Sequence, residues 1–81
     1  LADIEYRYTV VYEPAKEGGY VVTVPALPGL VTEGDTLEEA RAMAEDAIRG
    51  YLESLRKHGE AIPVEQGEPI TERILVSLSG A

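Results

Sequence analysis

Residues 4–13, IEYRYTVVYE, place Ile4, Tyr6, Tyr8, Val10 and Tyr12 on one side and Glu5, Arg7, Thr9, Val11 and Glu13 on the other. A period of two, built from aromatic and β-branched residues, predicts a half-buried strand. EPAKEGG (13–19) follows, with Pro14, Gly18 and Gly19 as the punctuation of a hairpin loop. YVVTV (20–24) predicts a second strand, returning antiparallel to the first. Pro25 and Pro28-Gly29 end it, because proline cannot donate to a sheet ladder. LVTEG (30–34) predicts a short third strand or an extended connection.

The period then changes. Leu37, Ala40, Ala44, Ile48, Tyr51, Leu52 and Leu55 recur at helical spacing, opposite a face carrying Glu38, Glu45, Arg49, Glu53 and Arg56. Thr36 with Glu39 three residues later forms a capping box at the start. Arg56, Lys57 and His58 in the last turn suit the negative end of the helix dipole, and Gly59 supplies the stop. The spacing predicts a helix over 37–58, about 33 Å long at 1.5 Å per residue. Residues 60–72, with Pro63, Gly67 and Pro69, predict an extended connector. RILVSL (73–78) predicts a last strand, with Ile74, Val76 and Leu78 on one side. The order ββ(β)αβ predicts one α+β domain over 1–81, a small antiparallel sheet with one long helix across one face.

Composition narrows the function. Fifteen acidic residues against seven Lys and Arg give a net charge of −8 in 81 residues. Such a surface repels phosphates, so direct nucleic-acid binding is not expected, and it suits a basic protein partner. No apolar run approaches the roughly 18 residues of a membrane span, and no signal-peptide pattern opens the chain. The absence of cysteine excludes disulfides and thiolate metal sites and fits a cytoplasmic protein.

Nothing in the pattern assembles a catalytic centre. The lone histidine, His58, falls where a helix end favours a cation. Glu38-Glu39 and Glu45-Asp46 are adjacent on a helix and do not converge. Gly18-Gly19 opens a strand, whereas phosphate cradles precede helices. The tyrosines of the first strand are expected to pack under the helix with their hydroxyls at the rim. We therefore expect no enzyme, no metal and no cofactor. One helix flank, Met43, Ala47, Gly50 and Ser54, is small enough to admit close approach by another protomer and is the expected oligomer contact.

The stretch GGYVVTVPALPGLVTEGDTLEEARAMAEDAI (18–48) resembles the HicB-like antitoxin family. Gly19-Tyr20, YVVTVP, Leu27-Pro28-Gly29, Thr32-Glu33-Gly34-Asp35-Thr36 and Leu37-Glu38-Glu39-Ala40 carry the likeness, and strand one and GEAIP (59–63) extend it over nearly the whole chain. The resemblance implies a β-β-β-α-β arrangement, a partial ribonuclease-H-like fold without its catalytic acids. It implies a non-enzymatic, oligomeric antitoxin that binds and masks HicA, a small basic toxin that cleaves messenger RNA. A solitary homo-oligomer of unknown binding role, without a toxin, is the alternative. Many members carry a further C-terminal DNA-binding segment; none follows the last predicted strand here, so operator binding is not expected.

A basic toxin is expected to meet Glu33 and Asp35 before the helix and the connector acids Glu60, Glu65, Glu68 and Glu72, around an apolar centre of Leu27, Leu30 and Val31. Self-association as a dimer or tetramer is expected from the helix flank and from open strand edges.

Overall fold

The computed structural model describes residues 3–80. Strand β1 (Val11–Pro14), β2 (Tyr20–Thr23) and β3 (Val31–Gly34) form one antiparallel sheet in the order β1-β2-β3, followed by helix α1 (Leu37–Lys57). The hairpin loop is closed by the Ala15 amide on the Gly19 carbonyl at 2.9 Å.

Two rows of side chains face the helix: Tyr12, Val22 and Thr32, then Pro14, Tyr20 and Gly34. Val22 is fully buried against Ala40 and Ala44, with Val10, Tyr12 and Tyr20 at the border. A second cluster is built from Val24, Leu27 and Leu30, closed over by Ala47, Ile48, Tyr51 and Leu52 of the helix and by Tyr8 and Val10. The stripe predicted for the helix is therefore the face that packs, apart from Leu37, which is exposed.

The helix ends where its local chemistry dictates. The Thr36 hydroxyl accepts the Glu39 amide at 3.0 Å. Glu39 reaches one residue further back than a standard box, taking the Asp35 amide at 3.2 Å. At the other end the Gly59 amide bonds to the Arg56 carbonyl and the Glu60 amide to the Leu55 carbonyl, with Gly59 at φ +70°. That is a Schellman stop, which needs a residue tolerant of positive φ. His58 caps the helix, and its Nδ1 lies 2.8 Å from the Ser54 carbonyl.

Two linked turns carry the chain from β2 to β3. The Leu27 amide bonds to the Val24 carbonyl at 2.9 Å and the Leu30 amide to the Leu27 carbonyl at 3.2 Å. Pro28 and Gly29 occupy the centre of the second turn, with Gly29 at φ +85°, the type II arrangement. Leu27 sits at the junction and is turned fully inward.

Two expectations are corrected. The first strand is a ladder only over Val11–Pro14; residues 3–10 are extended without strand pairing. The register that sets Val11 opposite Thr23 would set Thr9 opposite Pro25, which has no amide and already belongs to the turn. The ladder stops for want of a partner. Likewise, residues 73–78 pair with nothing among the described residues, so the fourth strand and the ribonuclease-H-like arrangement are not formed. Ile74, Leu75, Val76 and Leu78 are 73%, 94%, 71% and 89% exposed. The molecule is 63 Å long with a radius of gyration of 16.3 Å, against about 12 Å for a compact chain of this length.

Candidate partner-binding surfaces

The helix covers one side of the sheet. The other side has no helix on it, and the register defines what it presents. One row reads Val11, Thr23, Val31 and the next Glu13, Val21, Glu33. Val11, Val21 and Thr23 are half-buried, while Val31 is 66% exposed. The apolar centre thus has a carboxylate on each side, Glu13 from β1 and Glu33 from β3.

A third carboxylate reaches the same side. Glu65 accepts the Thr9 amide through Oε1 and the Thr9 hydroxyl through Oε2, each at 2.8 Å. Beside it the Tyr8 hydroxyl donates to the Pro63 carbonyl. Burial raises the Tyr8 hydroxyl above the ordinary tyrosine value, and the neighbouring Tyr6 and Glu65 push in the same direction. The Tyr6 and Tyr8 rings stand nearly parallel, 6.5 Å apart. These contacts tie the connector to the chain just before β1.

At the corner between the hairpin loop and the end of β3 lies a depression of about 260 Å³, bordered by Glu17, Glu33 and Asp35. Beside it two glycines permit close backbone approach. A side chain on Gly19 would meet the Gly34 carbonyl oxygen at 2.6 Å, and one on Gly34 would meet the backbone of Ala40. Among the described residues no group of three or more His, Cys, Asp or Glu is arranged to hold a metal ion, and no helix is long and apolar enough to cross a membrane.

This architecture has known relatives. The sequence profile of the HicB-like antitoxin of bacterial toxin-antitoxin systems matches residues 8–75. The chain belongs to the HicB-like antitoxin family. A UPF0150 protein of Thermoplasma acidophilum is 51% identical over 65 residues, covering 80% of this chain and 94% of the relative. Antitoxin HicB 1 of Photorhabdus laumondii is 47% identical over 58 residues, covering 72% of this chain and 37% of the antitoxin. Antitoxin HicB of Escherichia coli K12 is 38% identical over 58 residues, or 72% and 42%. The chain therefore spans nearly all of the Thermoplasma relative and less than half of the two antitoxins.

Within this HicB-like domain the residues anticipated for partner contact separate. Val31, Glu33 and Asp35 are exposed, Val31 and Glu33 on the uncovered sheet face. Leu27 and Leu30 are not surface residues: both lie in the second core cluster, and the expectation that they form an exposed apolar centre is corrected. The linked turns, not the leucines themselves, decide this by curling the peptide inward. Glu65 is half-buried and engaged with Thr9, so it is a structural link rather than a free linker acid, whereas Glu60, Glu68 and Glu72 are exposed.

The helix flank separates too. Met43, Gly50 and Ser54 are exposed, and Gly50 has open space around it. Ala47 packs on the protein's own core and is not free for a neighbour. Sequence reasoning missed Val11, Val21 and Glu13 as a surface. Their alternation was visible, but which side the helix would leave bare depends on where the helix docks.

Proposed function

We propose that this chain is an antitoxin-type binding protein that holds a small basic HicA-type toxin on the uncovered face of its sheet. The observation that carries the reading is the composition of that face: Val11, Val21 and Val31 in the centre, Glu13 and Glu33 on the flanks, and the depression bordered by Glu17 and Asp35 at the corner. Apolar residues at the centre supply affinity once water is excluded. Carboxylates at the rim steer a cationic partner and set its orientation. The family match supports the kind of partner. The binding is stoichiometric masking.

The test is co-expression with the short basic product of a neighbouring reading frame. Wild-type protein is expected to co-purify with it and to relieve its growth arrest. The double variant Glu13→Lys/Glu33→Lys is expected to lose both effects while keeping its helical circular dichroism. Full protection by that variant would move the toxin to another surface, and arrest unrelieved by the wild type would remove the antitoxin reading.

A second reading has its own support. The Thermoplasma relative is matched over 94% of its length and is named only as a UPF0150 protein, whereas the named antitoxins are matched over less than half of theirs. A solitary homo-oligomer without a toxin is that reading, and a neighbourhood lacking any short basic reading frame would select it.

A further inference from the structure

The sheet has an unused seat beside β1. The Ala15–Gly19 bond and the register fix which backbone groups point where. Residues 11, 13 and 15 direct their amides and carbonyls at β2, so the even-numbered residues direct theirs to the opposite edge. No backbone hydrogen bond satisfies Tyr8 or Val10 on that edge among the described residues. On the helix side the same residues, with Tyr6, Ile48 and Leu52, line an open groove of about 520 Å³. The helix packs mainly on β3 and β2, and Tyr8, Val10 and Tyr12 at its border are only half-buried.

The chain also carries a segment with the form of the missing strand. Residues 73–78 are extended, alternate in character, and project Ile74, Val76 and Leu78 into solvent. The groove is bordered by Arg7 and Arg41, and by Arg49, whose guanidinium is paired with Glu45 of the same lining at 3.1 Å. The arm leading to the segment carries Glu68 and Glu72. Seat and segment are complementary in hydrogen bonding and apolarity, and Arg7 and Arg41 of the groove are opposite in sign to Glu68 and Glu72 of the arm.

We propose that the seat beside β1 is filled by residues 73–78 of a second copy of this chain, each copy donating its segment to the other. The direction of the tether favours exchange over self-closure. Glu65 grips the Thr9 amide, which points to the β2 side, so the connector is pinned on the side of strand one away from the vacant edge. Beyond it the segment lies in solvent, with Ile74, Leu75, Val76 and Leu78 all exposed. A partner's segment reaches the edge without crossing strand one. Reciprocal exchange generates a two-fold dimer, closes the open edge in both copies and removes the exposed apolar residues from water. The inference stands whether or not a toxin exists.

The absence of cysteine makes the test clean. Full-length Tyr6→Cys protein is mixed with mass-tagged Val76→Cys protein and treated with a short flexible bis-maleimide. The expected product is a covalent adduct of one chain of each kind, from a sample that light scattering reports as a dimer. A Tyr6→Cys/Val76→Cys chain that links only to itself, or a monomer at micromolar concentration, overturns the proposal. Ile74→Asp/Val76→Asp is the second variant. Both side chains are exposed in the single copy, so its helix is retained while self-association weakens on the order of a hundredfold. An unchanged dimer in that variant also overturns the proposal.

Discussion

Gly34 and Ala40 touch through their backbones: a methyl group on Gly34 would lie 2.6 Å from the Ala40 Cα and closer still to its nitrogen. This contact sets the end of β3 directly on the first turn of the helix. Because the obstacle is main chain rather than a movable side chain, relief would require shifting the helix. Gly34→Ala is expected to destabilise the fold by about 3 kcal/mol, read as a lower urea midpoint. Gly50→Ala is the contrast, since nothing lies within 4 Å of a side chain there. It is expected to stabilise by about 0.5–1 kcal/mol, the usual gain for replacing glycine within a helix.

Glu65 is expected to behave as a fold residue. Its carboxylate takes two hydrogen bonds from Thr9, and its removal leaves the Thr9 amide without a protein acceptor. Glu65→Ala should cost about 1–2 kcal/mol and speed hydrogen exchange at the Thr9 amide, measured by NMR. Glu68→Ala, at an exposed site, should change neither.

The Tyr8 hydroxyl gives a dependence on alkaline pH. Its pKa in the folded protein is raised, first by burial and then by Tyr6 and Glu65. The folded state therefore holds this proton more tightly than the unfolded state. The stabilisation is fully present below the unfolded value of about 10 and is lost as pH rises through the higher folded value. Tyr8→Phe should show a shallower loss of stability above pH 10 than the wild type in parallel denaturant titrations.

Neighbouring residues at the start of β3 should respond in opposite ways. Leu30 is buried and Val31 is exposed. Leu30→Asp puts an unpaired charge into the core and is expected to unfold the domain, seen as loss of cooperative melting. Val31→Asp should leave the melting temperature near that of the wild type and, with a toxin in hand, speed dissociation of the complex in surface-binding kinetics.

The helix was legible in the sequence because its signals are local: Thr36 and Glu39 at one end, Gly59 at the other, and an apolar stripe between. The hairpin and the Pro28-Gly29 turn were legible for the same reason. Leu27 was misread because a leucine between two prolines looks like loop surface. Only the pair of successive turns brings it inward. The alternation at 4–10 and 73–78 was real, yet alternation describes one strand and pairing needs two. Pro25 removes the partner of the first segment, and no described segment lies against the second. Of the anticipated contact residues, Val31, Glu33 and Asp35 lie at the surface, while Leu27, Leu30, Glu65 and Ala47 are drawn into the fold. The sequence pattern marked polarity correctly and could not say which side of the sheet the helix would choose.

The helix meets the sheet through residues of graded size. Gly34 and Val22 receive Ala40 and Ala44, whereas Ile48, Tyr51 and Leu52 stand over Leu27 and Leu30 further along. The space between the layers is thus a taper, narrow at the start of the helix and wide towards its end. A taper measures position along its length. Sliding the helix by one turn, about 5.4 Å, one way would bring Ala44 over the wide part and open a void; sliding it the other way would press Ile48 into the narrow part and make a clash. The sheet therefore accepts the helix at one axial setting, and the connector leaves from one fixed height above strand one.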